Sequence, residues 1–383
     1  MREFQPPKRL RGIEKSVIRQ ISDRAKPGSI GLGLGEPDLP TPDVIRREAV
    51  TVITETQNGY TLQAGLPALR ERVAADYPHM NLSSDDVVIT AGSQEALYLA
   101  LMTLVEDGDE VLIPDPGFVA YPTITQMAGG RPVFYRLPAE RDFGFDLDDF
   151  KRRISSRTRA VICTSPSNPT GRALPGEDLL EIARVVEESG SGAYIISDEI
   201  YRELYYTPER PASISEFYPQ TIVICGLSKS MSMTGWRLGW ICGDKNVIKS
   251  ALVLHGYVTT CASSISQKAA LAAWTTEAEQ ALNQHRRIFR ERRDHLISLI
   301  QRETGLRCVT PDGAFYTMVD ISPYGSSVEV AEAMLEAGVV TVPGSAFGRE
   351  SEEFLRVSFC ADLPVLAEGV ARMGAALKKM GKH

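Results

Sequence analysis

The stretch TIVICGLSKSMSMTGWRLGWICG, residues 221–243, decides how this chain folds. Two short apolar runs, TIVIC and LGWICG, have the length and composition of fully buried strands. Between them stands Lys229 among small hydroxyl and apolar residues, followed by Arg237, with no acidic residue anywhere in the stretch. A surface lysine normally has charged neighbours. One bounded by a buried strand and a Gly-Trp-Arg-Leu-Gly turn reads as an amine held in a site.

Outward from this stretch the pattern repeats. DVVIT (86–90), EVLIP (110–114), RPVFYRL (131–137), RAVICT (159–164) and AYIIS (193–197) are further apolar runs. Helical stretches such as SQEALYLALMTLV and LPGEDLLEIARVVEES lie between many of them. Strands alternating with helices predict an α/β domain around a mostly parallel sheet flanked by helices. Such a sheet collects its binding residues on the loops at the carboxyl ends of its strands. From about residue 246 the periodicity becomes long and helical, and TEAEQALNQHRRIFRERRDHLISLIQRETG reads as a solvent-flanked helix linking two domains. FYTMVDI, SVEVAEAMLEAG, VVTVPG, FLRVSF and a last helix from about Asp362 then predict a smaller α+β unit. The boundaries expected are an arm over 1–35 packing on the small domain, a large domain over 36–280 and a small domain over 281–383.

Composition limits the partners. With 43% hydrophobic and 24% charged residues the chain can build a sizeable core. Its net charge of -7 argues against a nucleic-acid partner. No run approaches the length of a membrane span, and the basic start MREFQPPKRLRGIEK lacks the apolar segment of a secretory signal. The six cysteines have no C-x-x-C spacing and read as thiols in a reducing cytoplasm. With five histidines and no H-x-x-x-H pair, no metal site is expected.

Three more motifs follow directly on strands. In AYIISDEIYRELYY, Asp198 ends an apolar run and Tyr201 lies three residues on, so in a helical or turn geometry the two share a face. A carboxylate and a phenol there could hold a flat protonated heteroaromatic ring, although Asp198 is equally at home as a helix N-cap. Asn168 stands in the loop SNPTG, whose residues are also ordinary turn formers. VVITAGSQEALYLA is strand, small-residue turn and helix, and the free N–H groups of such a helix start form an anion site.

Together GLSKSMSMTGWRLGW, SNPTG, SDEIY and GEPDLPTP resemble the class I/II aminotransferases of the fold-type-I pyridoxal-phosphate superfamily. The resemblance runs nearly end to end, through NGYTLQAGLPALR, PDPGFVAYP, DGAFY and FLRVSF. It implies pyridoxal 5'-phosphate as cofactor, with Lys229 forming the Schiff base to its aldehyde and later serving as general base. Asp198 is implied as partner of the pyridine nitrogen, and Asn168 and Tyr201 as partners of the ring's phenolic oxygen. Arg237, Ser228 and the Gly92–Ser93–Gln94 turn are implied to hold the phosphate. Some relatives carry a serine three residues before the lysine; here that place is Gly226, so one phosphate contact is absent or comes from elsewhere.

Phe118 matches the aromatic residue that stacks on the ring. Tyr60 matches a tyrosine that reaches the neighbouring subunit's phosphate, which implies a homodimer with shared active sites. Arg356 resembles the clamp for the substrate's α-carboxylate, and Gly35 the backbone that approaches it. The implied reaction is a ping-pong transfer of an amino group between an L-amino acid and a 2-oxo acid, with glutamate and 2-oxoglutarate as one pair. A C–S lyase acting by β-elimination would use the same cofactor residues. A ligand-sensing regulator is not expected, because only about 30 residues precede GLGEPD. Lys268, in HGYVTTCASSISQKAALAAW, is the one cation of that stretch, and neither the cofactor motifs nor that stretch holds a spare arginine for a distal carboxylate. Aspartate, aromatic and neutral aliphatic donors all remain open, the latter two through Tyr257 or Phe347.

Overall fold

A computed structural model describes residues 4–381; residues 1–3 of the expected arm and 382–383 lie outside the described residues. In chain order the strands are β1 (Ile30–Gly31), β2 (Val87–Thr90), β3 (Glu110–Asp115), β4 (Arg131–Arg136), β5 (Thr158–Thr164) and β6 (Tyr194–Asp198). They continue as β7 (Thr221–Gly226), β8 (Gly239–Cys242), β9 (Tyr316–Asp320), β10 (Val339–Val340), β11 (Val342–Pro343) and β12 (Phe354–Ser358). Seven of them form one sheet in the order β2-β8-β7-β6-β5-β3-β4. The pairs among β3 to β7 are all parallel, and only β8 runs antiparallel to its neighbours. This is the expected α/β architecture, and every apolar run singled out in the large sheet is a strand.

Although these runs are apolar throughout, the pleat still assigns their residues to opposite faces. Ala160, Ile162, Ile196, Ile222 and Ile224 pack on one side with Leu97, Leu101 and Ile248 of the helices Ser93–Leu104 and Lys245–Val258. Val161, Cys163 and Ile195 pack on the other with Leu179, Ile182 and Val186 of the helix Gly176–Glu188. Both faces are covered, which is why no polar alternation is needed. One strand departs from the expectation of full burial: β4 is an edge strand with only Tyr135 fully buried.

The long helix Thr276–Thr304 is capped by Thr275 and ends at Gly305 in the left-handed conformation. It is less solvent-flanked than its charge suggests. Ala278, Leu282, His285, Phe289, Arg292, Leu296 and Leu299 form a buried stripe at alternating four- and three-residue spacing. Arg292 is tolerated on that stripe because Asp38 accepts both of its terminal nitrogens, at 2.6 and 2.9 Å. Beyond the helix, β11-β12-β9 form an antiparallel sheet covered by the helices Ser327–Glu336 and Leu363–Met380. VVTVPG divides in two: Val339–Val340 pairs with β1 and Val342–Pro343 with β12. Among the described residues no helix is long and apolar enough to cross a membrane, no cluster could hold a metal ion, and all six cysteines are free.

Candidate active site

The parallel strands all end on one edge of the sheet, and the motifs leave from there. Asp198 ends β6, Asn168 follows β5, Phe118 follows β3 and Lys229 follows β7. β8 runs the other way, so Arg237, just before its start, arrives at the same edge. A cavity of about 1450 Å³ opens there. Lys229, Asp198, Asn168, Tyr201, Phe118, Ser228, Ser93, Gln94, Arg237, Gly35 and Arg356 all line it. Gly92 stands immediately behind, pressed on Arg237. Tyr60 is not brought to this cavity; it lies 89% exposed on the outer surface.

At the floor, Asp198 is buried. Tyr121 Oη donates to its Oδ2 at 2.8 Å and the Ile200 N–H reaches Oδ1 at 3.3 Å. Burial outweighs these bonds and raises its pKa to about 6, so the carboxylate is ionised at neutral pH and gains strongly from any cation brought to it. Phe118 packs edge-on against Tyr121, with ring centroids 5.6 Å apart.

Lys229 has no ion-pair partner among the described residues. Its Nζ donates to the Gly35 carbonyl at 2.7 Å. Burial is the main cause that brings its pKa down to about 8, and the positive charges of Arg356 and Arg237 act in the same direction. The amine is therefore partly neutral near physiological pH, which a nucleophile or base requires. Position 35 must be glycine, because a Cβ would overlap Tyr316 Oη.

Arg356 is 1% exposed and has no acidic partner. Its Nη1 donates to Asn168 Oδ1 at 2.7 Å and its Nη2 to the Gly33 carbonyl at 2.5 Å, while buried Nε has no partner. The guanidinium lies between the rings of Tyr316 and Phe347, with its central carbon 4.2 and 4.7 Å from their centroids. A buried cation with spare donors and no counter-charge is costly unless an anion joins it. Tyr201 Oη is 2.8 Å from Tyr316 Oη.

At the opposite end, Arg237 holds a left-handed backbone at φ 53°, a conformation rare outside glycine and frequent at functional sites. Its Nη1 donates to the Thr234 carbonyl at 2.9 Å and its Nη2 to the Ala91 carbonyl at 3.2 Å. The side chain is pressed so closely on Gly92 that a Cβ there would strike it. Gly92 provides no side-chain cap to the helix Ser93–Leu104, which leaves the first N–H groups of that helix open to an anion.

Several cavity residues carried no local signal. Tyr121 and Tyr316 act through partners far away in sequence. Lys15 and Arg19, from the segment around the short helix Val17–Asp23, form part of the cavity wall. They are cations that the cofactor motifs alone did not reveal.

The pattern of the family described as Aminotransferase class I and II matches residues 27–372. Aspartate aminotransferase of Pyrococcus horikoshii is 37% identical over 375 residues, covering 96% of this chain and 95% of that protein. Aromatic-amino-acid aminotransferase 2 of Thermococcus litoralis is 37% identical over 383 residues, covering 97% and 98%. The structure of aspartate aminotransferase from Thermus thermophilus with maleate superimposes with a TM-score of 0.92 at 32% identity, covering 98% of this chain and all of that one. The chain belongs to the class I and II aminotransferases, a family of pyridoxal-phosphate-dependent transferases with the fold described above.

Proposed function

We propose that this member of the class I and II aminotransferases uses Lys229 as its cofactor-linking amine and catalytic base, in a ping-pong transfer between an L-amino acid and a 2-oxo acid. Glutamate and 2-oxoglutarate form one of the two pairs. The observation that carries this reading is Lys229 itself: an amine without a carboxylate partner, sharing one cavity with a buried acid and an unpaired buried guanidinium.

The residues fit pyridoxal 5'-phosphate at both ends. The Ala91–Gln94 turn and Arg237 suit a phosphate, and buried Asp198 suits a protonated ring nitrogen. When bound, the cofactor supplies an aldehyde that condenses with amines and a ring that draws electrons from the substrate's α-carbon. Asp198 keeps the proton on the ring nitrogen, and Tyr121 keeps Asp198 in place. Asn168 gives its oxygen to Arg356, which leaves its amide N–H to donate to the ring's oxygen beside the Tyr201 hydroxyl. Phe118 would cover the ring, and Ser228 would add a hydroxyl at the phosphate end. Arg356 takes the substrate α-carboxylate on its spare donors, close to the Gly35 backbone. Lys229 Nζ would take the proton from the substrate's α-carbon and give it back on the far side of the transferred nitrogen, two atoms away.

For the donor we propose an acidic amino acid. Arg19 lines the cavity without an ion-pair partner among the described residues, beside Lys15, which is paired with Asp23, and the Thermus thermophilus relative was solved with maleate, a dicarboxylate. The β-elimination alternative gains nothing from relatives that are named aminotransferases. Tyr60, Leu62, Tyr257 and Val258 are exposed apolar residues on one chain, and a second copy burying them in an isologous dimer accounts for that surface. We read residues 36–280 as the cofactor-binding unit and 281–383, joined by the arm 1–35, as the second. The free cysteines suit a cytoplasmic setting.

The test is a half-reaction panel. Each amino acid is added alone to the cofactor-loaded protein, and loss of the lysine-linked cofactor's visible band is followed. Aspartate or glutamate is expected to bleach the band, and 2-oxoglutarate to restore it. Ammonia and pyruvate release from cystathionine without bleaching would establish the lyase instead.

A further inference from the structure

Glu95 occupies the third position of the helix Ser93–Leu104, behind the Gly92 N-cap. A glutamate at that position commonly turns back to the N-cap N–H. This one reaches a residue further: its Oε2 accepts from the Ala91 N–H at 2.5 Å. Its Oε1 accepts from His255 Nδ1 at 2.9 Å and from Thr259 Oγ1 at 2.7 Å. His255 is fully buried near the end of the helix Lys245–Val258, and Thr259 lies just past it. Burial would raise the Glu95 pKa, but the three hydrogen bonds outweigh it and the group titrates below its ordinary value. The carboxylate is thus a fixed anion at the foot of the turn that the functional reading gives to the cofactor phosphate.

A negative charge there opposes a phosphate, so its presence needs a geometric reason. The backbone of Ala91 supplies one. Its N–H is held by Glu95 while its carbonyl, in the next peptide group, accepts Arg237 Nη2 at 3.2 Å. A turn of the chain at the Ala91 Cα would carry that carbonyl away from the guanidinium and shift the start of the helix. Glu95 resists such a turn by fixing the Ala91 N–H to a carboxylate that is itself held by the buried His255 and by Thr259.

We propose that Glu95 is a positioning residue for the cofactor phosphate, holding the Ala91–Gln94 turn and Arg237 in phosphate-binding register through His255 and Thr259. This rests on the cofactor assignment above. It differs from a general structural role in one respect: only the phosphate end of the ligand senses it.

The experiment compares pyridoxal 5'-phosphate with pyridoxal, which lacks the phosphate, by fluorescence titration of the cofactor-stripped full-length protein. Glu95→Ala leaves the Ala91 N–H and both other donors unpaired. It is expected to weaken pyridoxal phosphate about ten- to a hundred-fold while pyridoxal changes less than about twofold. Glu95→Gln keeps an acceptor and removes the charge, and is expected to bind pyridoxal phosphate within about threefold of the parent. Should Glu95→Ala fail to fold, Thr259→Val removes one donor and is expected to weaken the phosphate form alone by a few-fold. Equal losses for both ligands would overturn the proposal in favour of a purely structural role. Tighter phosphate binding in both Glu95 variants would overturn it in favour of simple charge repulsion. A parent protein that binds the two ligands equally well would contradict the cofactor assignment instead.

Discussion

The two ends of the cavity are built on different terms. At the closed end, Asp198, Asn168 and Arg356 are each at most 8% exposed and are held by side chains or backbone of the same chain. At the open end, Arg237 is exposed and holds on only to backbone carbonyls. Electrostatics explains the division. Interactions in the buried half are weakly screened, so charges there must be few and fixed before substrate arrives. A phosphate dianion needs only firm anchoring, which helix N–H groups and a guanidinium provide at the rim.

Substitutions at the two ends are therefore expected to fail differently. Lys229→Ala sits between the ends and gives the largest effect. Single-turnover amino transfer is expected to fall by about 10⁴-fold or more, while pyridoxal phosphate still binds by equilibrium dialysis. Asp198→Asn breaks the closed end. The turnover number is expected to drop about 10²- to 10³-fold, as when a preorganised charge is removed, and excess cofactor will not restore it. If excess cofactor did restore it, the distinction between the ends would be wrong.

Arg237→Ala attacks the open end. Cofactor affinity is expected to weaken about a hundred-fold, from loss of a charge-assisted contact, and turnover recovers when pyridoxal phosphate is raised. The expected pH dependence is gentler. Lys229 must lose its proton to react, so attachment of cofactor to the stripped protein is expected to speed up as pH rises through about 8 and level off above it. The same rate rising through the ordinary lysine range, two units higher, would show that burial does not tune the amine. The smallest effect is Tyr60→Phe, with cofactor affinity about tenfold weaker by dialysis. Tyr60 lies outside the cavity of its own chain, so an unchanged affinity would show that it does not reach the phosphate of a second copy.

The same division explains what could be read in advance. Lys229 stood out because an ionisable residue beside a wholly apolar strand is a local anomaly, visible in a few residues. Asp198, by contrast, read equally as an N-cap, and the role of Arg356 came from the family resemblance. The strands of the large sheet were legible as apolar runs, which in all but β4 follow from burial on both faces. β4 was misjudged as fully buried because its composition resembles that of a central strand, while its place at the sheet edge depends on topology. Tyr121 carries no mark of its role, since its partner Asp198 is 77 residues away. Glu95 carries no mark of its role in the sequence, and only the fold brings His255 to it across 160 residues. Lys15 ends the stretch that read as a basic start and Arg19 lies just beyond it, and only the fold brings the two to the cavity wall.

The most direct test is reduction of the cofactor-loaded protein with borohydride, followed by peptide mass spectrometry. The cofactor mass is expected on the peptide containing Lys229 and on no other lysine. Its appearance on Lys15 or Lys268, or on no peptide at all, would contradict the assignment on which every other role in the cavity depends.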